Sequence, residues 1–204
     1  IGHSKTRARL QSQAARDTLA RKQAEDPRFA TVKLTPPTVT FSDTLCMDGG
    51  DLTLELVPTP GHTEDHVAVW IPKIRLLLAG DAAEFPFPLV HHAHDLPTLR
   101  ASLERLAALA PVMVIPCHGG TTEPDLPQRN LAYFDEVARR CRATLDAGSL
   151  PPDWAHDAQL PDAVGFPYAD ALRFAGADPE KTPAFYRGFH HEAVRVTLES
   201  LTAM

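Results

Sequence analysis

The segment PTPGHT, residues 58–63, follows the strand-like run LTLELV and carries a histidine within a turn that contains glycine and proline. Two later segments repeat this arrangement, namely GD at 80–81 after IRLLLA and PCHGG at 116–120 after VMVI. Rigid strands direct side chains toward one edge of a sheet, and Gly and Pro allow turns tight enough to fix an imidazole or a carboxylate. The three segments therefore predict polar side chains that meet at one sheet edge.

The candidate ligands in these turns are His62, Asp81 and His118. Imidazole nitrogen and carboxylate oxygen bind zinc, and a carboxylate can bridge two cations through its two oxygens. Each residue alone has an ordinary explanation, because such side chains often cap turns or pack at the surface. Their ordered placement, each after a strand, favours a metal site over three unrelated turn residues.

The rest of the sequence predicts a mixed α/β chain. The region 38–79 is rich in short β-type runs, and DGGD at 48–51 is a strong hairpin signal because adjacent glycines accept positive φ angles. Helical patterns predict helices at 4–24 with Ser4 as the N-cap, 96–109, 127–147, 168–175 and 183–201. VMVIP at 112–116 is interpreted as a short buried strand, and the proline-rich stretch from Pro151 to Gly165 as a surface excursion.

The composition fits one globular domain and argues against nucleic acid as a partner. The chain has 204 residues, of which 44% are hydrophobic, and a formal net charge of -6 with scattered Lys and Arg. Cys46, Cys117 and Cys141 stand too far apart for a disulfide framework or a cysteine-rich zinc module.

No window is long and apolar enough for a membrane span, so we expect no membrane partner and a cytoplasmic location. Because residue 1 is Ile, a removed leader stays an open alternative.

Four features follow one another along the chain: TPGHT, a hairpin ending in LLLAGD, an amphipathic helix and a strand ending in PCHG. In this order they resemble the C-terminal two-thirds of the metallo-β-lactamase superfamily. The resemblance covers residues 1–147 and implies an α+β fold, a four-layer αβ/βα sandwich with the metals at one edge of two facing sheets. Residues 148–204 are then a C-terminal helical extension packed on this core. By resemblance, His62 binds one Zn²⁺, His118 binds a second, and Asp81 bridges both and orients the nucleophile as the catalytic residue. Fe or Mn stays possible in place of zinc.

The chain departs from the family pattern in one respect. The H-x-H-x-D-H motif, which supplies the family's other ligands, does not occur in the 204 residues. His92-Ala93-His94-Asp95 has the wrong Asp spacing, and His62, Asp65 and His66 form H-x-x-D-H with His62 already assigned. Residues 1–24 look like the helix that follows the motif, so we expect an N-terminally incomplete domain; an incomplete or inactive site is the alternative.

Several further residues are secondary candidates. His91 and His92 follow Asp81 closely and are candidate substrate-binding residues, although a solvated loop would explain them equally well; Glu84 has the same two explanations. Cys117 is interpreted as packing beside His118 rather than as a ligand. The last helix presents Tyr186, Phe189 and neighbours at helical spacing, typical of a packing face that could also shape a pocket or a dimer contact.

The leading interpretation is a zinc hydrolase that acts on a small ester, lactone or thioester through hydroxide formed on the metals. The alternatives are a non-catalytic scaffold that has lost its metals and a mono-iron enzyme of the sulfur dioxygenase type. A small molecule is the expected partner, with a homodimer possible. The fold alone does not select the substrate.

Overall fold

The computed structural model describes residues 1–203, and its N-terminal part consists of two helices flanked by two short strands. These are β1 (Gly2–His3), α1 (Ser4–Gln11), α2 (Gln13–Glu25) and β2 (Thr40–Phe41), with β1 parallel to β2. The prediction of one helix over 4–24 is wrong at Ser12, because its hydroxyl accepts the N–H of Ala15 and begins a second helix there. The predicted N-cap is also wrong, since the side chain of His3 accepts the N–H of Lys5.

The main sheet has five strands that lie side by side in chain order. They are β3 (Leu45–Asp48), β4 (Thr53–Pro58), β5 (Val67–Ile71), β6 (Leu76–Gly80) and β7 (Met113–Pro116). Neighbours from β3 to β6 are antiparallel, and β7 is parallel to β6. The predicted hairpin between β3 and β4 is confirmed, with Gly50 at a φ of 87°.

Helices cover one face of this sheet. They are α3 (Asp95–Ala108), α4 (Leu126–Asp146), α5 (Leu160–Ala163), α6 (Tyr168–Phe174) and α7 (Tyr186–Thr202). The apolar stripe of α3 is buried, as its spacing predicts, and α4 ends before Gly148, which adopts a φ of 61°. One continuous cluster of buried side chains joins the sheet to these helices. None of the helices within residues 1–203 has the length and apolar character needed to cross a membrane.

The two faces of the sheet differ in what covers them. The covered face contributes six buried side chains to the core: Val57, Ala68, Trp70, Leu77, Ala79 and Val114. On the opposite face, the register aligns a row of five apolar side chains, none of which is buried: Leu45, Leu56, Val69, Leu78 and Ile115. A sheet that is apolar on both faces is typical of a sandwich. Within residues 1–203, helices thus cover one face of the main sheet, and the other face is apolar and not buried.

Three predictions of local structure need correction. The strand β7 lies at the sheet edge, so only Val114 is buried while Met113 and Ile115 are exposed. The stretch before Gly165 is not purely a surface excursion, because Leu160 and Val164 are buried in the core. The last helix begins at Tyr186 rather than Pro183, because a turn in which the N–H of Tyr186 donates to the carbonyl of Pro183 precedes it.

Candidate metal centre

The three predicted ligands lie at the same edge of the main sheet. His62 follows β4, Asp81 follows β6 and His118 follows β7. The strands β4, β6 and β7 run in the same direction, because β5 is antiparallel to both β4 and β6 and β7 is parallel to β6. Their C-terminal ends therefore meet at one edge, as the sequence predicts.

The carboxylate of Asp81 stands between the two histidines. Its Oδ1 atom is 3.5 Å from Nε2 of His118, and its Oδ2 atom is 4.0 Å from Nε2 of His62. Oδ1 is buried and has no hydrogen-bond partner among residues 1–203. Each carboxylate oxygen thus faces a different imidazole.

The turn that carries His62 is held by its own backbone and by α3. Gly61 adopts a φ of 138°, and a Cβ at this position would lie 2.4 Å from Cα of Leu99, so only glycine permits this close approach. The hydroxyl of Ser102 on α3 donates to the carbonyl of Pro60 at 2.7 Å. Nδ1 of His62 lies 3.2 Å from the carbonyl of Leu89, to which it donates. This bond places the ring proton on Nδ1 and leaves Nε2, 4.0 Å from Oδ2 of Asp81, as the unprotonated nitrogen.

His66 fixes the backbone of Asp81 and is not positioned as a ligand. The N–H of Asp81 donates to Nε2 of His66 at 3.0 Å, and Nδ1 of His66 donates to the hydroxyl of Thr59 at 2.7 Å. This pattern requires a neutral ring with its proton on Nδ1. Burial lowers the pKa of His66, which agrees with the neutral form.

Asp65, one of two acidic residues in the turn that carries His62, connects the site to α1. Its Oδ2 atom accepts the hydroxyl of Thr6 at 2.6 Å and the guanidinium of Arg9 at 2.9 Å. Burial acts to raise the pKa of Asp65, but these donors outweigh it and the pKa lies below its usual value. Asp65 therefore has structural partners on α1.

Glu84 is a buried carboxyl in the loop after Asp81. Its Oε2 atom has no hydrogen-bond partner among the described residues, and burial followed by the nearby Asp81 carboxylate raises its pKa to about 8. The side chain of Asn130 on α4 holds the backbone of this loop: it accepts the N–H of Glu84 at 3.0 Å and donates to the carbonyl of Glu84 at 2.9 Å.

The other candidates lie at different distances from the centre. The ring of His91 is 5.3 Å from that of His62, whereas His92 stacks on His94 at 5.2 Å. The structure thus brings His91 to the site and pairs His92 with a neighbour of its own loop. Burial, and then the Asp81 carboxylate, raise the pKa of the Cys117 thiol.

The donor set partly fits a metal centre. Zinc with bonds of about 2.0–2.1 Å places neighbouring tetrahedral donors roughly 3.3 Å apart, close to the 3.5 Å between Asp81 and His118. A buried carboxylate oxygen without a donor is costly, so a cation beside Oδ1 would remove that cost. However, residues 1–203 contain no group of three His, Cys, Asp or Glu side chains around one point. Within residues 1–203, His62 and Asp81 offer two donors at one position, and Asp81 and His118 offer two at a second. Each pair is half of a four-coordinate set.

Sequence reasoning missed two residues that shape this site and one property of a third. His66 was considered only as a ligand, and its bond to the Asp81 backbone spans 15 residues of sequence. Asn130 carries no motif, and its role depends on a contact 46 residues away. Tyr186 lies in the predicted packing face, but the spacing gives no sign that its hydroxyl is buried without a partner. Only the apolar spacing around Tyr186 and the HTEDH context of His66 were available as signals.

The family model of the metallo-beta-lactamase superfamily matches residues 2–118 of the chain. The beta-lactamase-like protein 2 homolog of Caenorhabditis elegans is 35% identical over 75 residues, which are 37% of this chain and 24% of that protein. The lactamase-like protein vrtG of Penicillium aethiopicum is 34% identical over 96 residues, 47% of this chain and 30% of that protein. The matches thus span less than a third of either relative.

Solved structures show the same fold. The metallo-beta-lactamase family protein TTHA1429 of Thermus thermophilus superposes with a TM-score of 0.62 at 20% identity, over 100% of this chain and 66% of that one. A beta-lactamase domain protein of Burkholderia ambifaria superposes with a TM-score of 0.55 at 19% identity, over 97% of this chain and 56% of that one. At 19–20% sequence identity, these superpositions show a shared fold.

Proposed function

Because the chain belongs to the metallo-beta-lactamase superfamily, we propose that it takes part in metal-dependent hydrolysis of a small ester, lactone or thioester. The observation that carries this proposal is the position of Asp81, with one carboxylate oxygen toward His62 and the other toward His118. The two lactamase-like relatives support a hydrolase. The net charge of -6 argues against a nucleic acid substrate.

In this proposal, His62, Asp81 and His118 are the residues of this chain that would hold zinc, with Asp81 placed between the two histidines. Bound zinc lowers the pKa of a coordinated water to near 7 and polarises the substrate oxygen that becomes anionic. The chain's own contribution is to fix the donors. The Leu89 carbonyl orients His62, and His66 holds the backbone of Asp81 so that its two oxygens stay divided between the histidines.

The test is the metal content per chain, measured by mass spectrometry on protein from the complete open reading frame and on residues 1–204. We expect about two zinc ions in the complete protein and loss of metal in Asp81→Ala. The matched control is Asp153→Ala, which removes an aspartate whose side chain is 85% exposed and far from the site in sequence. A single iron in place of zinc would favour the oxygenase alternative.

A non-catalytic scaffold is the second candidate, because no three donor side chains surround one point within residues 1–203. This candidate predicts that neither the complete protein nor the Asp153→Ala control retains stoichiometric metal, and that Asp81→Ala changes nothing. If the complete protein holds metal, hydrolysis assays with phenyl acetate, γ-lactones and acyl thioesters on metal-loaded protein test the proposed activity, and no turnover of any of them would contradict it.

A further inference from the structure

Four histidines form a row that leads from the candidate metal centre to the surface. The ring centroids of His62 and His91 lie 5.3 Å apart, those of His91 and His92 6.3 Å, and those of His92 and His94 5.2 Å. The side chain at the inner end, His62, is 18% exposed, and the one at the outer end, His94, is 79% exposed. This imidazole row thus connects solvent to a predicted ligand.

The backbone that carries the row is held in place. The guanidinium of Arg195 on α7 donates to the carbonyl of His91 at 3.2 Å, and the N–H of Asp95 donates to the carbonyl of His92 at 3.0 Å. Val90, the residue before His91, is fully buried. The outer imidazoles therefore stay near one another, while their exposed rings remain able to turn about their side-chain bonds.

The spacing of the row matches that of imidazoles that share an ion. With Zn–N bonds of about 2.0–2.1 Å, two imidazoles on one ion have ring centroids roughly 5.2 Å apart at a tetrahedral angle and at most about 6.4 Å apart. All three steps of the row, from 5.2 to 6.3 Å, lie within this range. The rings of His92 and His94 stack at 6°, so a shared ion requires one of them to turn.

A carboxylate stands at the outer end of the row. Nε2 of His94 is 3.5 Å from Oδ1 of Asp95, the same distance that separates the donors of Asp81 and His118. Neighbouring donors on zinc lie roughly 3.3 Å apart, so this pair is close to the spacing that one ion requires. His94 and Asp95 thus offer two donors at a position that solvent reaches.

The positions along the row are suited to transfer and not to storage. No three His, Cys, Asp or Glu side chains surround one point within residues 1–203, so each step offers two protein donors and leaves the other positions on the ion to water. Ions move through a series of sites when each site binds strongly enough to admit an ion and weakly enough to release it. Closely spaced two-donor positions have this property.

We propose that the imidazole row is the entry path of the metal ion, a divalent transition metal such as Zn²⁺ or Co²⁺. His94 and Asp95 capture the ion, and it passes along His92 and His91 to His62. Each step replaces one ligand on the ion by the next, so only metal–ligand bonds form and break. The destination of the path rests on the proposed metal-dependent function, whereas capture at the outer end does not require the centre.

The first test is the rate of Co²⁺ uptake by metal-free protein from the complete open reading frame, followed by stopped-flow absorbance at pH 7.5. Release is followed after addition of a chelator. We expect the double variant His92→Gln/His94→Gln to take up and release Co²⁺ about 3- to 10-fold more slowly, because capture raises the effective concentration of the ion beside the centre. The equilibrium Kd should stay that of wild type, since a path accelerates both directions equally.

The second test measures capture when the centre is lost. In Asp81→Ala, paramagnetic Co²⁺ should shift and broaden the NMR signals of the His94 and His92 rings at a lower concentration than those of His156. His156 is a matched internal control, because its side chain is 81% exposed and it also pairs with a carboxylate, that of Asp153 at 2.8 Å, but it stands outside the row. In the uptake experiment, His156→Gln should change neither rate.

Wild-type uptake and release rates in the double variant would overturn the proposal. Slower uptake with a weaker Kd and unchanged release would also overturn it, because His92 and His94 would then be ligands of the loaded state. Equal effects of Co²⁺ on the His94 and His156 signals would refute capture. A complete protein that binds no Co²⁺ would overturn both this proposal and the proposed function. Slower uptake and release in the double variant of a protein that hydrolyses no ester would refute the proposed hydrolysis alone.

Discussion

The backbone N–H of Asp81 donates to Nε2 of His66 across 3.0 Å, so an imidazole that faces no metal position determines where the central carboxylate stands. His66 is itself fixed by the hydroxyl of Thr59. The turn that carries His62 and the turn that carries Asp81 are therefore joined by one neutral ring.

We expect His66→Ala to weaken zinc binding about 10- to 100-fold, because a support of the ligand backbone is lost. The unfolding free energy should fall by about 1–3 kcal/mol, since the Asp81 N–H loses its partner. Zinc affinity is measured by competition with a chromophoric chelator. His156→Ala is the control, as the His156 side chain is 81% exposed. A zinc affinity of His66→Ala equal to that of wild type would show that the Asp81 turn keeps its conformation without His66.

The parts of this site that depend on local sequence could be predicted, and those that depend on distant contacts could not. A glycine turn after a strand is a local signal, so His62, Asp81 and His118 were placed at one edge correctly. The break at Ser12 was missed because an Ala- and Arg-rich run favours one helix, while the competing cap from a single hydroxyl is a small local effect. The support from Asn130 arises only when α4 packs behind the loop.

The stability of the protein should depend on His190 between pH 6.5 and 4. Its ring accepts the hydroxyl of Tyr133 at 2.8 Å and donates to the carbonyl of Phe166 at 2.7 Å. Burial lowers its pKa to about 4, so in this window the unfolded chain binds a proton that the folded chain does not.

The contribution of His190 to the free energy of unfolding is complete above pH 6.5. We expect this contribution to fall by on the order of 3 kcal/mol as the pH drops to 4. Denaturant unfolding of wild type and His190→Gln across this range measures it, and the variant should show the weaker pH dependence. His156→Gln, at an exposed site, should follow the wild type. Parallel curves for wild type and His190→Gln would contradict the expectation.

Glu84 has the opposite pH dependence. Burial, and then the Asp81 carboxylate, raise its pKa to about 8, so the folded chain retains a proton that the unfolded chain releases above about pH 4.5. Its effect on stability is favourable at low pH and is lost as the pH rises to 8.

In chelated, metal-free protein, we therefore expect Glu84→Gln to gain stability relative to wild type as the pH rises. The difference in unfolding free energy between the variant and wild type should shift in favour of the variant by on the order of 4 kcal/mol between pH 4 and pH 9. Thermal or denaturant unfolding at the two pH values measures this. Glu104→Gln, at an exposed position on α3, should behave as wild type at both. A constant difference between Glu84→Gln and wild type would mean that Glu84 is ionised in the fold.

Asn130→Ala should destabilise the protein by about 2–3 kcal/mol, because the N–H and the carbonyl of Glu84 both lose a buried partner. Gln128→Ala, an exposed change on the same helix, is the control. An unfolding free energy equal to that of wild type would show that the loop keeps its shape without Asn130.

The side chain of Asn130 gives the loop at 84–86 the hydrogen bonds that a neighbouring strand would otherwise provide, and it does so from the side of α4. The loop is thus ordered without being part of a sheet, and the partly exposed Phe85 and the buried Pro86 line a cavity beside His118. The conformational entropy of this wall is lost when the chain folds, not when a ligand arrives. A molecule that enters the cavity gains its contacts against a surface that is already set, which is the thermodynamic advantage of preorganisation.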